Sequence, residues 1–335
     1  MSRAGFMAIT HKPEVSGSIP LPVTILDSIW YYRNFMNKNI FKLVIFIFIL
    51  LSNTKIVQSA DYADCSPNYI NSDNEISLSS VPAPSSGVCL TEANSYRITI
   101  YEVHFCTSLP AIPTTSSAID ITDCEIVFQN SSGSTINLST NTSESLSGSM
   151  FKPPANNYTH AYVKLDNILG IKGKVNFSDQ QYTGQQNEGS GYTCVTRSTT
   201  KEILTGTTFP QNTSSCGESS LAAETKLIEL RSLDCCSGLV ATDSTSDINI
   251  NNSGQDGIPS LVDSNGYLIT DENSASTIDY VIDFNSNLVI GENLIDITLK
   301  FNVSSSLEVN NYSNSFILFM PGAPQIIIET THSTS

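Results

Sequence analysis

Cysteine thiols are the reactive side chains that stand out in this chain, since they can form disulfides, bind metals or act in redox reactions. All of them lie after residue 60, and an even number confined to one part of a chain indicates a disulfide framework made in an oxidising compartment. A zinc site would need Cys-x-x-Cys pairs, which the chain lacks. The eight cysteines are Cys65, Cys89, Cys106, Cys124, Cys194, Cys216, Cys235 and Cys236.

Two local bridges are predicted from the positions of the first four cysteines. Cys106 ends one predicted strand and Cys124 opens the next, so a bridge between them would tie adjacent strand ends. A disulfide that closes a loop of this size stabilises a protein by about 3 kcal/mol. Cys65 and Cys89 then remain as the second local pair.

The last two cysteines are adjacent in the sequence. Cys235 and Cys236 could form a vicinal bridge that acts as a redox switch. Two separate bridges, to Cys194 and Cys216, explain the even number more simply, and this is the pairing we expect.

Histidines are scarce, and only His104, His160 and His332 follow the N-terminal region. His104 and His160 lie in predicted strands, where they could meet to bind a metal or relay a proton, or could simply be hydrogen-bonded strand residues. The chain has no Gly-x-Ser-x-Gly motif and no glycine-rich phosphate loop. No catalytic site is therefore predicted, and we do not expect an enzyme.

Two polar segments raise the possibility of calcium. The run Asp256-Gly257-Ile258-Pro259 resembles the end of thrombospondin-type calcium repeats, and Asp263 and Asn265 follow shortly after. The resemblance implies oxygen ligands from these side chains, but calcium needs about six to eight of them. Asp-x-Asn-Gly is also an ordinary hairpin turn. We therefore expect no cofactor, with calcium at Asp256, Asp263 and Asn265 as the lesser alternative.

Residues 36–60 have the order of a secretory signal peptide. Lys38 and Lys42 precede the apolar run Leu43–Leu51, and small residues follow at Ser59 and Ala60. The run is too short for a membrane span, which takes about 20 residues. We expect an extracytoplasmic protein, whether secreted, cell-surface or periplasmic, with membrane contact only through this segment if it stays uncleaved. Residues 1–35 are interpreted as a miscalled extension or a short cytoplasmic tail.

Composition favours a β-rich protein without nucleic-acid partners. Only 14% of residues are charged, and Ser, Thr and Asn occur throughout, as on exposed strands and turns. The net charge of −16 argues against nucleic acid, which requires a Lys/Arg-rich surface.

Alternating apolar residues predict strands along the whole exported part. Residues 154–166 and 171–177 are predicted to form a hairpin, residues 131–149 a polar linker, and residues 219–233 either a helix or a strand. The run from Pro154 to Tyr158 and Thr159 resembles the closing strands of prealbumin-like sandwich domains, which implies a sandwich. The apolar run 316–328 is either a closing core strand, the favoured interpretation, or an edge that pairs with a neighbouring subunit. Further predicted strands are 95–105, 125–128, 277–284, 294–303 and 315–320.

These observations predict an all-β fold of disulfide-bonded, antiparallel, sandwich-like domains with long Ser/Asn/Thr-rich loops, the first at 61–210 and the second at 211–335. The expected function is that of an exported cell-surface or extracellular structural or adhesion protein, with self-assembly or a surface partner. One alternative is a secreted polysaccharide-cleaving enzyme whose acids, such as Asp166, Asp283 and Asp296, converge in space. Another is a periplasmic ligand-binding protein, which requires a deep apolar pocket.

Overall fold

A computed structural model describes Cys65 and residues 74–81, 87–139, 144–198, 200–233, 248–250, 255–322 and 324–332. All of them belong to the unit Gln58–Ser335. The predicted extension 1–35, the predicted signal segment 36–60, Cys235 and Cys236 lie outside the described residues. Within the described ranges, no helix is long and apolar enough to cross a bilayer.

The described chain is built from strands, with three 3₁₀ turns at Leu78–Ser80, Gln185–Asn187 and Glu272–Ser274 and no α-helix among the described residues. The predicted all-β, disulfide-bonded fold is therefore confirmed; the sandwich arrangement stays a prediction. The strands are β1 (Glu75–Ile76), β2 (Val88–Thr91), β3 (Ser95–Cys106), β4 (Cys124–Leu138), β5 (Ser149–Met150), β6 (Asn156–Asp166), β7 (Ile168–Lys172), β8 (Lys174–Phe177), β9 (Tyr182–Thr183), β10 (Ser190–Gly191), β11 (Thr193–Thr196), β12 (Glu202–Leu204), β13 (Ser214–Gly217), β14 (Lys226–Leu230), β15 (Ile248–Ile250), β16 (Gln255–Val262), β17 (Thr277–Ile290), β18 (Leu294–Asn302), β19 (Leu307–Tyr312), β20 (Phe316–Pro321) and β21 (Gln325–His332).

The largest sheet has ten strands and is organised around β3. Strand β4 pairs with β3 from Cys106 back to Tyr96, while β6 and then β7 pair with other parts of β3. On the far side of β6 lie β17, β16 and β15, and on the far side of β7 lie β14 and β12. All of these pairs are antiparallel except β12 with β14.

The predicted hairpin of 154–166 with 171–177 is wrong. Strands β6 and β7 are both antiparallel to β3, so the chain continues in one direction instead of reversing. Asn167 marks the junction: its Nδ2 donates to the Leu230 carbonyl (3.0 Å), and the Leu230 amide donates back to its carbonyl (2.8 Å). These two hydrogen bonds hold β14 beside the chain at the point where the β6–β17 ladder ends and the β7–β14 ladder begins.

The predicted polar linker 131–149 is also wrong in its first half, because β4 continues to Leu138. Ile136 and Leu138 are buried opposite Ile98 and Tyr96, so pairing and burial outweigh the Ser/Gly composition. Gly133, at φ +78°, lies where the register of β3 and β4 shifts. A left-handed residue at such a β-bulge is normally glycine.

Four smaller sheets complete the described fold. They contain β1-β8-β11-β13, β2-β19-β20, β18-β21 and β9-β10. Five ladders join strands from before and after residue 210, namely β6 with β17, β2 with β19, β7 with β14, β11 with β13 and β12 with β14. A boundary at that residue would separate strands that are hydrogen-bonded to each other; the two-domain division at residue 210 stays a prediction.

Three disulfides lie in the described residues. Cys65–Cys89 and Cys106–Cys124 are paired as predicted. The expectation that Cys194 and Cys216 each bond to the adjacent pair near residue 235 is wrong, because these two are bonded to each other. They lie directly opposite on the neighbouring strands β11 and β13, and both are buried.

The remaining ambiguous segments are strands. Lys226–Leu230 forms β14, which settles the choice between helix and strand at 219–233. In the C-terminal apolar run, β20 buries Ile317, Leu318 and Phe319, as expected of a core strand. Complete burial of such side chains contributes about 1.5–3 kcal/mol each.

Candidate ligand-binding cavity

An apolar cavity of about 290 Å³, partly open to solvent, lies between the largest sheet and the C-terminal strands. A cavity of about 150 Å³ is sufficient to hold benzene, and sites for small organic ligands start near 300 Å³. The cavity therefore has room for one small organic molecule.

One side of the cavity is formed by a single face of the ten-stranded sheet. Tyr96 and Ile98 of β3 contribute to it, as do Ile278 and Tyr280 of β17. Residues two apart on a strand point to the same face, so the alternation that builds the core also builds this wall. Leu165 of β6, the partner of Ile278 in the ladder, fills the space between them.

The C-terminal strands β18 to β21 also contribute side chains to the cavity wall. Phe301 of β18, Met320 of β20 and Ile326 of β21 line the cavity with apolar side chains. Glu308 of β19 lies opposite Met320 in the β19–β20 ladder and also lines the cavity. The cavity is thus formed only when these seven strands, several of them distant in sequence, have packed together.

Glu308 is the one side chain with a formal charge among the lining residues. It is 7% exposed, and its only hydrogen bond within the described part of the chain comes from Asn310 Nδ2 to Oε1, at 3.2 Å. Burial raises the pKa of its carboxyl to about 7, against a usual value of 4.5. Removal from water disfavours the charged form of an acid, and Asn310 compensates for this only in part.

Tyr280 supplies the second polar group of the cavity. Its hydroxyl is buried and has no hydrogen-bond partner in the described residues. Burial, with a smaller effect of nearby Tyr96, raises the pKa of Tyr280 far above its usual value, so the phenol stays neutral and can donate. Leaving such a group unpaired costs about 1–3 kcal/mol.

A separate polar cluster lies on the opposite face of the same sheet. Tyr162 donates to Asp279 Oδ1 at 2.9 Å, and His104 Nε2 is 3.1 Å from Glu102 Oε2. Burial is the main cause that raises the pKa of Asp279 to about 6, while the hydrogen bond with His104 is the main cause that lowers the pKa of Glu102. Lys164, the ladder partner of both acids, completes the cluster. These groups satisfy one another, and none of them lines the cavity.

The two strand histidines have different partners. The β3–β6 ladder places His104 opposite Tyr162 and His160 opposite Cys106. His160 Nδ1 is 2.8 Å from the Thr159 hydroxyl, and burial lowers its pKa. His332 is the ladder partner of Leu294 at the end of β21.

The calcium candidates occupy a strand and a turn. Asp256 lies within β16, opposite Asn249, and not in a loop as expected. Asp263 Oδ1 accepts the backbone amides of Asn265 (2.8 Å) and Tyr267 (3.0 Å), which lowers the pKa of its exposed carboxyl. These bonds are those of a side chain that caps its own turn. Calcium at this position stays a prediction.

The acids proposed for an enzyme lie on three different strands. Asp166 is at the end of β6, Asp283 is paired with His160 in β17, and Asp296 is exposed in β18. None lines the cavity. Among the described residues, no group of three or more His, Cys, Asp or Glu side chains could hold a metal ion.

Sequence reasoning did not identify Glu308 or Tyr280 as functional residues. The alternating pattern of 277–284 places Tyr280 on a core face, which the structure confirms. Nothing in the sequence shows that the hydroxyl of this particular tyrosine lacks a hydrogen-bond partner among the described residues. Glu308 did carry a signal, because an acid between Leu307 and Val309 in a strand is unusual, and β19 buries all three.

Comparison with known proteins finds no matching family model, no similar curated protein and no similar solved structure.

Proposed function

We propose that this protein works outside the cytoplasm and binds a small, largely apolar molecule in the cavity between β3, β17 and β19. The observation that carries the proposal is the cavity itself, with its apolar walls and a few buried polar side chains, among them Glu308. Sites for small molecules have this composition, in which apolar walls provide affinity and a few polar groups fix orientation.

Export is supported by two independent features. Residues 36–60 have the order of a signal peptide. Three disulfides in the described residues suggest an oxidising, extracytoplasmic environment. The precise location, in the medium, at the cell surface or in a periplasm, is part of the proposal.

Titration with the uncharged fluorescent probe N-phenyl-1-naphthylamine tests binding in the cavity. Met320 is partly exposed and lines the cavity, so Met320→Trp should fill part of it and weaken probe binding at least tenfold. The matched control is Met150→Trp, at an exposed position of β5 away from the cavity. The proposal is wrong if the wild-type protein does not bind the probe, or if both variants bind it like wild type.

The second candidate is the structural or adhesion role expected from the sequence. Strands β18 and β21 form a two-stranded sheet, so each has one edge without a strand partner in the described residues. Ile295 and Ile327, in this sheet, are 65% and 38% exposed. Exposed edges and apolar side chains favour strand pairing with another chain.

Sedimentation of the protein with and without Ile295→Lys tests this second role. A wild-type oligomer that the substitution converts to monomers would support assembly through β18. A wild-type protein that is monomeric at all accessible concentrations would argue against self-assembly.

A further inference from the structure

The polar groups of the cavity indicate the chemical class of its ligand. Glu308 is buried there, and no lysine or arginine lines the cavity. A buried carboxylate is normally paired with a cation or kept neutral. Among the described residues Glu308 has only the neutral amide of Asn310.

We infer that the cavity binds an apolar molecule that carries one amine, with its ammonium group against Glu308 and its hydrocarbon part against the walls. The inference rests on the proposed function. An ammonium has three N–H donors and a full positive charge. It would supply a counter-charge to Glu308, which has none among the described residues.

Other ligand classes fit these groups less well. A carboxylate or phosphate would bring a second negative charge beside Glu308, on a chain whose net charge is already −16. An alcohol could bond Glu308 only as a neutral partner. Hydrogen bonds to charged groups are stronger than those between neutral groups, so the amine has the advantage whenever Glu308 is ionised.

The pH at which the amine binds follows from the groups around Glu308. Tyr96 and Tyr280 are the other titratable side chains lining the cavity, and burial raises the pKa of both, so they stay neutral. The pKa of Glu308 is about 7, so in more acidic solution its carboxyl carries a proton. It must lose that proton before it can pair with an ammonium. An alkylamine stays protonated to about pH 10, so its affinity should rise between about pH 5 and about pH 8.

The experiment compares three probes of equal chain length, octylamine, octan-1-ol and octanoate, by calorimetric titration of the full oxidised protein. Near neutral to mildly alkaline pH, octylamine should bind about 10- to 100-fold more tightly than octan-1-ol, and octanoate most weakly. Glu308→Gln keeps the shape of the side chain and removes its charge. It should abolish the preference for the amine and its pH dependence while octan-1-ol still binds. Glu292→Gln, at an exposed position, is the matched control.

The outcomes separate this inference from the proposed function. If octan-1-ol and octylamine bind equally and Glu308→Gln changes neither, the cavity is a ligand site but the inference about the amine is wrong. If octanoate binds most tightly, the inference is wrong as well. If none of the three probes binds and N-phenyl-1-naphthylamine also fails, the proposed function itself is overturned.

Discussion

Replacing Glu308 with glutamine should stabilise the ligand-free protein, and only above the acid range of pH. The folded state holds this carboxyl at a pKa of about 7, whereas the unfolded chain has the usual value of 4.5. Below about pH 4.5 the carboxyl is protonated in both the folded and the unfolded state, so it does not reduce the free energy of unfolding. As the pH rises to about 7 the unfolded state loses its proton first, so the free energy of unfolding falls.

The size of this effect follows from the two pKa values. Each pH unit between them costs about 1.4 kcal/mol, so the buried acid destabilises the fold by about 3 kcal/mol above about pH 7. Glutamine keeps the oxygen that accepts from Asn310 Nδ2 and has no proton to lose. The variant should therefore match wild type near pH 4 and exceed it by about 3 kcal/mol near pH 8.

Urea unfolding of the oxidised protein at a series of pH values measures this difference. Glu292→Gln, at an exposed position, provides the baseline for losing one acid. A variant whose advantage over wild type is the same at every pH would refute the reasoning, because the gain would then come from packing and not from the proton. A variant less stable than wild type in alkaline solution would refute it more strongly, because it would show that Glu308 is paired in the folded state.

Three further predictions concern other buried groups. Asp279→Asn keeps an acceptor for the Tyr162 hydroxyl. Because burial raises the pKa of Asp279 to about 6 from 3.8, the free energy of unfolding in urea should increase by about 3 kcal/mol above about pH 6 and should not change in strong acid. An unchanged pH profile would show that Lys164 already neutralises the acid. Tyr280→Phe removes an unpaired buried hydroxyl, so the thermal midpoint should rise by the equivalent of about 1 kcal/mol; a lower midpoint would reveal a partner for the hydroxyl. Replacing Cys194 and Cys216 together by alanine should cost about 3 kcal/mol in urea unfolding, and a loss below about 1 kcal/mol would contradict a native bridge.

Local patterns in the sequence predicted the strands where alternation is strict. The faces of 95–105 and 277–284 match β3 and β17, because a strand that buries one side must repeat every two residues. The bridge Cys106–Cys124 was predictable for a related reason, since its cysteines stand at the ends of two adjacent predicted strands, and Cys65–Cys89 was then the remaining local pair. The class of fold therefore follows from local chemistry.

Pairing between distant strands was not predictable in the same way. Nothing in residues 165–168 distinguishes a tight turn from a strand that continues past Asn167 beside a new partner. The bonds that decide it come from Leu230, far along the chain. The bridge between Cys194 and Cys216 has the same origin, because only the β11–β13 ladder brings the two residues opposite each other.

The cavity was hardest to foresee. It needs β3, β17, β19 and β20 to meet, and its polar groups look like ordinary core residues in the sequence. An apolar pocket was recognised as the requirement for a ligand-binding protein, but its existence depends on packing between sheets. Glu308, buried between apolar neighbours, was the one available clue.

The order of the three disulfides has a consequence for how the chain can be made. Each bridge joins a cysteine to the next cysteine along the sequence, with separations of 24, 18 and 22 residues. If the chain leaves a membrane pore N-terminus first, every thiol meets its native partner before any competitor emerges. An oxidase that simply links successive thiols would then give the right pairs without an isomerase. The eight cysteines of the chain, released together from a denatured state, face about 105 possible pairings, so synthesis through a pore should yield the native protein more faithfully than refolding.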